Sequence, residues 1–394
     1  MMKNLHSKST MNREIFDRFY TEHEQEMLML FKQLVETNSY SYNHKGIKKC
    51  LDLFSQAASP FLKTTYLNNN CLQISNHNLD ENYALFVGHM DTVFPESSRF
   101  QHFVTEGNLI KGPGTYDMKG GLIVALYALK FLHYLGILSN IPICFLINSD
   151  EETGSLSSKK NIQDLAKSAI FAFVFEGGGK NGEIVTARKG KIGLKGIAQG
   201  EAGHAAFIIE NKKSAILEMA YKVINFEKLN NPIKNISCNV GKINGGTGAN
   251  IVPDYCEVSI DIRYSCKNDT KELNEKIQTL IQENNVKGVE FKLVKISERP
   301  CMERKNNLEL FTIVEKTCSD LNIKIKEEFR NGVSDANFIA ETNTPVLDGL
   351  GPIGGNDHSD REFIFKDSLK DRIFLTANAL TECYSYFIKK TLNS

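Results

Sequence analysis

Apolar positions recur at helical spacing over residues 12–37 and 45–58, which predicts two amphipathic helices. Two short strand-like pieces follow near 62–76. The next apolar run, Tyr83-Ala-Leu-Phe-Val-Gly-His-Met-Asp91, has the length of a strand and ends in His89-x-Asp91. A loop marked by Gly and Pro, Lys111-Gly-Pro-Gly-Thr-Tyr-Asp117, leads into an apolar-periodic helix starting near Met118, with Asp117 placed as its N-cap. The long apolar stretch Leu122 to Leu138 is broken by Lys130 and His133 and is too short for a membrane span, so it reads as a core helix. A second buried strand, from Ile141, runs straight into Asp150, Glu151 and Glu152. A third, Ala169-Ile-Phe-Ala-Phe-Val-Phe175, stops at Glu176-Gly-Gly-Gly. Far downstream, Thr344-Pro-Val-Leu-Asp-Gly-Leu-Gly351 precedes a glycine-rich turn containing His358-Ser-Asp360, and a helix from about 366 closes the chain.

Helices alternating with near-continuous apolar strands predict an α/β fold, a mostly parallel sheet flanked by helices. Residues 190–299 follow another pattern: strand (191–200), helix (213–229), strands (235–244 and 250–262), helix (269–285), strand (289–297). That β-α-β-β-α-β order is ferredoxin-like. The expected organisation is therefore a larger domain begun by residues 1–189 and completed by 300–394, with a smaller domain inserted at 190–299.

Composition narrows the function classes. A chain of 394 residues, 41% hydrophobic and 24% charged, is long enough for two domains. Its 47 basic and 47 acidic residues balance, giving no reason to expect nucleic acid or an anionic membrane as partner. Met-Met-Lys-Asn-Leu-His-Ser-Lys-Ser-Thr at the N-terminus lacks an apolar segment, so no secretory signal is expected. Nine scattered cysteines without a C-x-x-C pair argue against a disulfide framework and against a thiolate zinc site. The expected compartment is the cytoplasm.

In parallel α/β sheets, ligands bind beyond the carboxyl ends of the strands. Here strand after strand ends in a metal-ligand residue type: His89, then Glu151 and Glu152, then Glu176, with His358 on a loop. Taken singly, His89 reads as a structural histidine, Asp117 as a helix cap, Glu151 and Glu152 as a solvated turn, and Glu176 as a loop residue. All of them gathering at one sheet edge by accident is the weaker explanation. Imidazoles and carboxylates without thiolates suit zinc or a related divalent ion in a catalytic site. His89, Asp117, Glu152, Glu176 and His358 are too many for one open zinc site but enough for two ions if one carboxylate bridges. Such ions, about 3.5–4 Å apart, polarise a scissile carbonyl and activate a water. Asp91, on the same side of the extended segment as His89, is placed to hold the other imidazole N–H. Glu151 is left as proton acceptor.

These motifs resemble the co-catalytic zinc exopeptidases and deacylases, a family that includes aminoacylase, acetylornithine deacetylase, succinyl-diaminopimelate desuccinylase and glutamate carboxypeptidase. The matching stretches are Gly88-His-Met-Asp-Thr-Val93, Gly112-Pro-Gly-Thr-Tyr-Asp-Met-Lys-Gly-Gly121, Asn148-Ser-Asp-Glu-Glu-Thr-Gly-Ser155, Phe175-Glu-Gly177, Gly203-His204, Asn250-Ile-Val-Pro253, Asp261-Ile-Arg263 and His358-Ser-Asp360. The resemblance implies that His89 and Glu176 hold one zinc, Glu152 and His358 the other, and Asp117 bridges both. It implies that Glu151 is the general base. It also implies a homodimer formed through the inserted domain, with His204 reaching the partner's active site to polarise the scissile carbonyl. Asn250 and Arg263 are implied to bind the substrate near its free carboxylate, a group that a guanidinium fork suits. Read from the sequence alone, Arg263 is equally a strand-end surface charge.

Within the family, Gly332-Val-Ser-Asp-Ala336 and Leu350-Gly-Pro-Ile-Gly-Gly-Asn-Asp-His-Ser-Asp360 read most like glutamate carboxypeptidase. Val333 and Ser334 depart from it, standing where glycine and threonine are expected. Arg299 is a weaker candidate for selecting an acidic side chain. The expectation is a homodimeric hydrolase with two zinc ions per subunit, cobalt or manganese being alternatives, that cleaves an amide bond next to a C-terminal amino acid. Its substrate would be a small peptide or an N-acyl amino acid. An N-acyl-amino-acid deacylase is the alternative; a non-catalytic protein of the same fold is disfavoured because none of the site residues is lost.

Overall fold

The computed structural model describes residues 11–67, 71–77, 79, 82–207 and 210–393. The N-terminal stretch read above for a secretory signal, residues 1–10, lies outside them. The chain divides into two compact units. One comprises residues up to Ala187, Arg304–Phe329 and the chain from Ser334 onward; the other comprises Arg188–Glu303 and Arg330–Val333.

The first unit is built on a six-stranded sheet, in the order Lys63–Leu67, Cys71–Ser75, Ile143–Asn148, Tyr83–His89, Ala169–Val174, Val346–Leu347. The last four strands pair in parallel, and the first two add an antiparallel edge. This is the mostly parallel α/β fold. Strands Tyr83–His89 and Ile143–Asn148 are buried at every position, which is why they read as unbroken apolar runs. Phe86, Phe145, Phe173 and Phe175 stack into one another at the sheet's centre, with Phe86 and Phe175 ring centroids 4.8 Å apart. The helix Lys119–Tyr134 is apolar on nearly all sides because it is buried on nearly all sides, every residue from Lys119 to Leu129 being inaccessible.

A smaller antiparallel sheet matters more for chemistry. Its strands are Gly354–Gly355, Phe363–Phe365, Leu109–Lys111 and Val104–Glu106. Phe363 pairs with Lys111 and Ile364 with Ile110. That register brings the loop after Lys111, which carries Asp117, beside the loop before Phe363, which carries His358.

Two expectations need correction. Asp117 is not an N-cap: the helix starts at Lys119, Met118 occupies the cap position, and no side chain caps it. The Asp117 carboxylate faces two imidazoles instead, a stronger partner than a helix N–H. The strand expected at 250–262 is two pieces. Ile251–Val252 pairs with Gly203–His204 and Tyr255–Tyr264 joins the main sheet of the second unit. Pro253, which has no N–H to give a ladder, sits at the break.

The second unit has the strand order Ser237–Gly245, Tyr255–Tyr264, Gly190–Gln199, Glu290–Arg299, all neighbours antiparallel. Helices Ala215–Glu227 and Asp269–Gln282 share its apolar core, completing the ferredoxin-like β-α-β-β-α-β arrangement. Glu218 and Lys222 are buried together in it. Glu218 accepts the N–H groups of Asn285 and Val286 at 2.8 and 2.7 Å, while Lys222 donates to the carbonyls of Leu280 and Glu283.

The first turn of the Lys119–Tyr134 helix touches the end of the Ala169–Val174 strand at backbone range: a Cβ on Gly121 would collide with the Phe175 carbonyl. That carbonyl cannot move without dragging Glu176. Gly121→Ala is therefore expected to destabilise the protein by about 1–3 kcal/mol, an overpacking cost, measured by urea denaturation; unchanged stability would show that the contact yields freely.

Candidate metal centre

Three strands of the parallel sheet lead to one edge: His89 closes the first, and Glu152 and Glu176 follow shortly after the ends of Ile143–Asn148 and Ala169–Val174. His89 closes Tyr83–His89 and is 1% exposed. Its Nε2 lies 3.0 Å from Asp117 Oδ1 and 3.7 Å from Glu176 Oε1. His358 Nε2 lies 3.2 Å from the other Asp117 oxygen, Oδ2, and 3.1 Å from Glu152 Oε2. The ligand atoms of His89, Asp117 and Glu176 lie within 4.8 Å of one another, as do those of Asp117, Glu152 and His358. All five candidate ligands thus come together as two groups that share Asp117, one of its oxygens turned to each. One imidazole and two carboxylates per group form a borderline-to-hard donor set that fits zinc, cobalt or manganese.

The electrostatics of the metal-free cluster follow from burial. Burial alone would raise the Asp117 carboxyl, but hydrogen bonds from His358 and His89 overcome it and hold the group well below the usual carboxylate range. His89 is pulled the other way: burial works against its charge, yet the hydrogen bonds to Asp117 and Asp91 and the charge of Glu176 raise it well above an ordinary imidazole. His358 is pushed up to about 11 by Asp117 and Glu152. Burial raises Glu152, and raises Glu176 further with the help of the Asp117 charge. An excess of buried carboxylates over imidazoles is the condition that a bound cation relieves.

Asp91 does more than the sequence suggested. The His89 Nδ1 bonds the Asp91 carbonyl at 3.0 Å and lies 3.4 Å from its carboxylate. That carboxylate, fully buried, accepts the N–H of Glu151 and of Glu152, both at 3.2 Å, and the Ser41 hydroxyl at 2.9 Å. It therefore sets the turn that aims Glu152 at His358 and leaves Glu151 beside it. Asp150 faces away: its carboxylate accepts the N–H groups of Ser157 and Ser158 and the Ser158 hydroxyl, organising the entry to the helix Lys159–Ser168.

Three acids or bases escaped sequence reasoning. Asp335, buried, accepts Asn148 Nδ2 and the Ser155 hydroxyl, which flank the Glu151–Glu152 turn. Lys119 donates to the carbonyls of Leu34 and Thr37, joining the end of the first helix to the Asp117 loop. Glu362, also buried, accepts the N–H groups of Gly114, Tyr116 and Asp117 at 3.0, 2.7 and 2.9 Å, and burial pushes its carboxyl up to about 8 against the pull of those bonds. The only signal for Glu362 was its place four residues after His358.

The remaining candidates belong to the second unit. His204 is exposed and ends the short strand Gly203–His204, where the Asn250 carbonyl accepts the Ala205 N–H at 2.9 Å. His204 and Asn250 are thus brought together. Arg263, Lys191 and Arg299 stand opposite one another on three adjacent strands. Arg263 is held by Asp261, at 2.7 Å from Nε and 3.2 Å from Nη2. Lys189, another residue that escaped notice, is nearly buried and lies below the usual lysine range through burial and the neighbouring Arg263 charge.

Comparison with known proteins agrees with this geometry. Residues 85–382 match the family model described as Peptidase family M20/M25/M40. The chain is 28% identical to carboxypeptidase G2 of Pseudomonas sp. (strain RS-16) over 311 residues, covering 76% of this chain and 73% of that protein. It is 24% identical over 364 residues to a succinyl-diaminopimelate desuccinylase of Pseudoalteromonas translucida, covering 87% and 95%. A crystal structure of a Staphylococcus aureus tripeptidase shares the fold with a TM-score of 0.76 at 20% identity, over 92% of this chain and 99% of that one.

The carboxylates beside His89 and His358 favour the protonated form of each imidazole, and a metal ion bound at either ring nitrogen competes with that proton. Affinity should therefore rise with pH, by up to about tenfold per unit for each proton released. Zinc titrations in buffers of different ionisation heat measure the release directly. An affinity constant from about pH 6 to about pH 8 would contradict the protonated pairs.

Proposed function

The chain belongs to the M20/M25/M40 peptidase family, and from that premise we propose a di-zinc exopeptidase that cleaves the amide bond next to a C-terminal amino acid. The observation that carries the reading is the shared Asp117 carboxylate, one oxygen toward His89 and the other toward His358. In this reading His89 and Glu176 would hold one ion, Glu152 and His358 the other, and Asp117 would be shared by both groups. Bound there, the ions would supply Lewis-acid activation of the scissile carbonyl and of the attacking water. Glu151, whose N–H is anchored on Asp91, takes the proton from that water and passes it to the leaving amine. His204 of the partner subunit donates to the developing oxyanion.

Asn250 and Arg263 receive the substrate's free carboxylate, and Arg299 an acidic side chain. The row of Arg263, Lys191 and Arg299, with Lys189 behind it, supports an anionic substrate end. Likeness to carboxypeptidase G2 favours a carboxypeptidase, and the motifs that resemble glutamate carboxypeptidase favour an acidic C-terminal residue; likeness to a desuccinylase keeps an N-acyl-amino-acid deacylase as the second reading. A homodimer through the second unit is supported by exposed Ile216, Tyr221 and Ile224 on the helix Ala215–Glu227 and by exposed Ile243 on the edge strand Ser237–Gly245. Nine free cysteines support a reducing compartment such as the cytoplasm, and among the described residues no helix is long and apolar enough to cross a membrane.

Glu151→Gln is expected to bind two zinc ions normally while turnover falls about a hundred- to ten-thousand-fold; near-normal turnover removes the proposed base. Chelation should abolish hydrolysis, and zinc or cobalt should restore it. A panel of dipeptides and N-acyl amino acids with varied C-terminal residues separates the two readings. Cleavage of peptides ending in Glu identifies the carboxypeptidase, and cleavage confined to succinyl or acetyl compounds the deacylase.

A further inference from the structure

Four of the five candidate metal ligands have firm mounts in the first unit. His89 closes a fully buried strand, and Glu152 follows another on a turn held by Asp91. Glu176 follows the end of a third strand. Asp117 lies on a loop preceding a buried helix. His358 differs. It sits on the connection between Gly354–Gly355 and Phe363–Phe365, its backbone is in the left-handed region at φ 56°, and its side chain is 54% exposed. Yet it must meet the same carboxylate that faces His89.

The link is Glu362. The register of Phe363 with Lys111 places Glu362 next to the start of the Gly112–Asp117 loop, and its buried carboxylate takes three N–H groups of that loop, including that of Asp117 itself. Its own N–H is tied to the Ser359 carbonyl at 3.1 Å, one residue from His358. A single glutamate thus joins the backbone of the shared candidate ligand to the backbone of the most exposed one, through one side chain and a short turn.

We infer that Glu362 is a positioning residue that fixes the His358 loop to the Asp117 loop, and so sets whether both metal ions can share the Asp117 carboxylate. This rests on the two-ion reading of the site. Glu362 touches neither substrate nor metal; it acts through the Asp117 and His358 backbones. Without it, the group of His89, Asp117 and Glu176 keeps mounts of its own, while His358 loses its tie to Asp117. The ion held by Asp117, Glu152 and His358 is the one that weakens.

The test compares wild type, Glu362→Ala and Glu362→Gln for zinc content, for the absorption and magnetic coupling of the dicobalt form, and for kcat and KM separately. Glu362→Ala should weaken binding of the second ion about ten- to a hundredfold, lower kcat by a similar factor with KM little changed, and remove the cobalt–cobalt coupling. Glu362→Gln should fall between, because an amide oxygen at Oε1 keeps the Tyr116 and Asp117 N–H bonds and loses only that of Gly114. Two tightly bound, coupled cobalt ions in Glu362→Ala would overturn the inference. Should Glu362→Ala not fold, Glu362→Gln decides: weakened second-ion binding supports the role, and wild-type metal content and spectrum overturn it. A wild type that binds a single ion, or that hydrolyses no member of the substrate panel, rejects the functional reading itself and is visible before any variant is made.

Discussion

The constraint on which this structure turns is the placing of one carboxylate, Asp117, within reach of two imidazoles at the end of a buried sheet. Carboxylates taken out of water repel and are expensive to keep charged unless something positive answers them. Here His89 and His358 answer, each within 3.2 Å of one Asp117 oxygen. Their protons compensate only part of the charge, since Glu152 and Glu176 are both raised by burial. The same arrangement that is electrostatically awkward by itself offers two groups of donor atoms that could each hold a divalent ion. Awkwardness in one state and fitness in the other have a single cause.

Holding such a cluster takes acceptors that do not themselves coordinate. Asp91, Asp335 and Glu362 are buried carboxylates whose hydrogen bonds go to the turns that carry the ligands, five of them to backbone N–H groups. Backbone N–H groups in loops that enter a protein interior need partners, and a carboxylate can serve two or three at once. Asp91 and Glu362 therefore meet two needs, satisfying loop backbone and orienting a candidate ligand, while Asp335 ties down the side chains of Asn148 and Ser155 on either side of the Glu151–Glu152 turn. Asp150 does the same one turn away, for the start of a helix.

The second unit is organised by different physics. Its sheet is antiparallel and half exposed, with apolar side chains gathered against two helices and a buried Glu218–Lys222 pair securing the junction of helix and loop. A buried pair of this kind adds little stability over an apolar one, but losing one partner is costly, so it favours a single arrangement of the Asn285–Val286 turn. The row of basic residues on three strands gives the unit a local cationic character in a chain that is neutral as a whole.

Much of this was legible in the residues. Unbroken apolar runs identified the parallel strands, because a strand buried on both faces has no use for alternation. The habit of ending those strands in or near His or Glu singled out the candidate ligands that the fold brings together, because apolar strands rarely stop in acids without a reason. Asp117 was read both as a helix cap and as a candidate ligand, and only the cap reading failed, since the short-range pattern of an acid before a helix is the same whether it caps the helix or faces a histidine. Pro253 was visible, yet its effect on pairing depended on which strand lay alongside. Glu362, Asp335 and Lys119 were not legible from any pattern: their partners are backbone groups or side chains up to 248 positions away, and such bonds leave no period or motif. The sequence by itself determined the sheet, the inserted unit and which residues are candidate ligands, because burial and donor chemistry are properties of residue type and order. Only the tertiary structure decided which oxygen faces which imidazole and what holds it there, because those depend on chain segments that meet in space without being near in sequence.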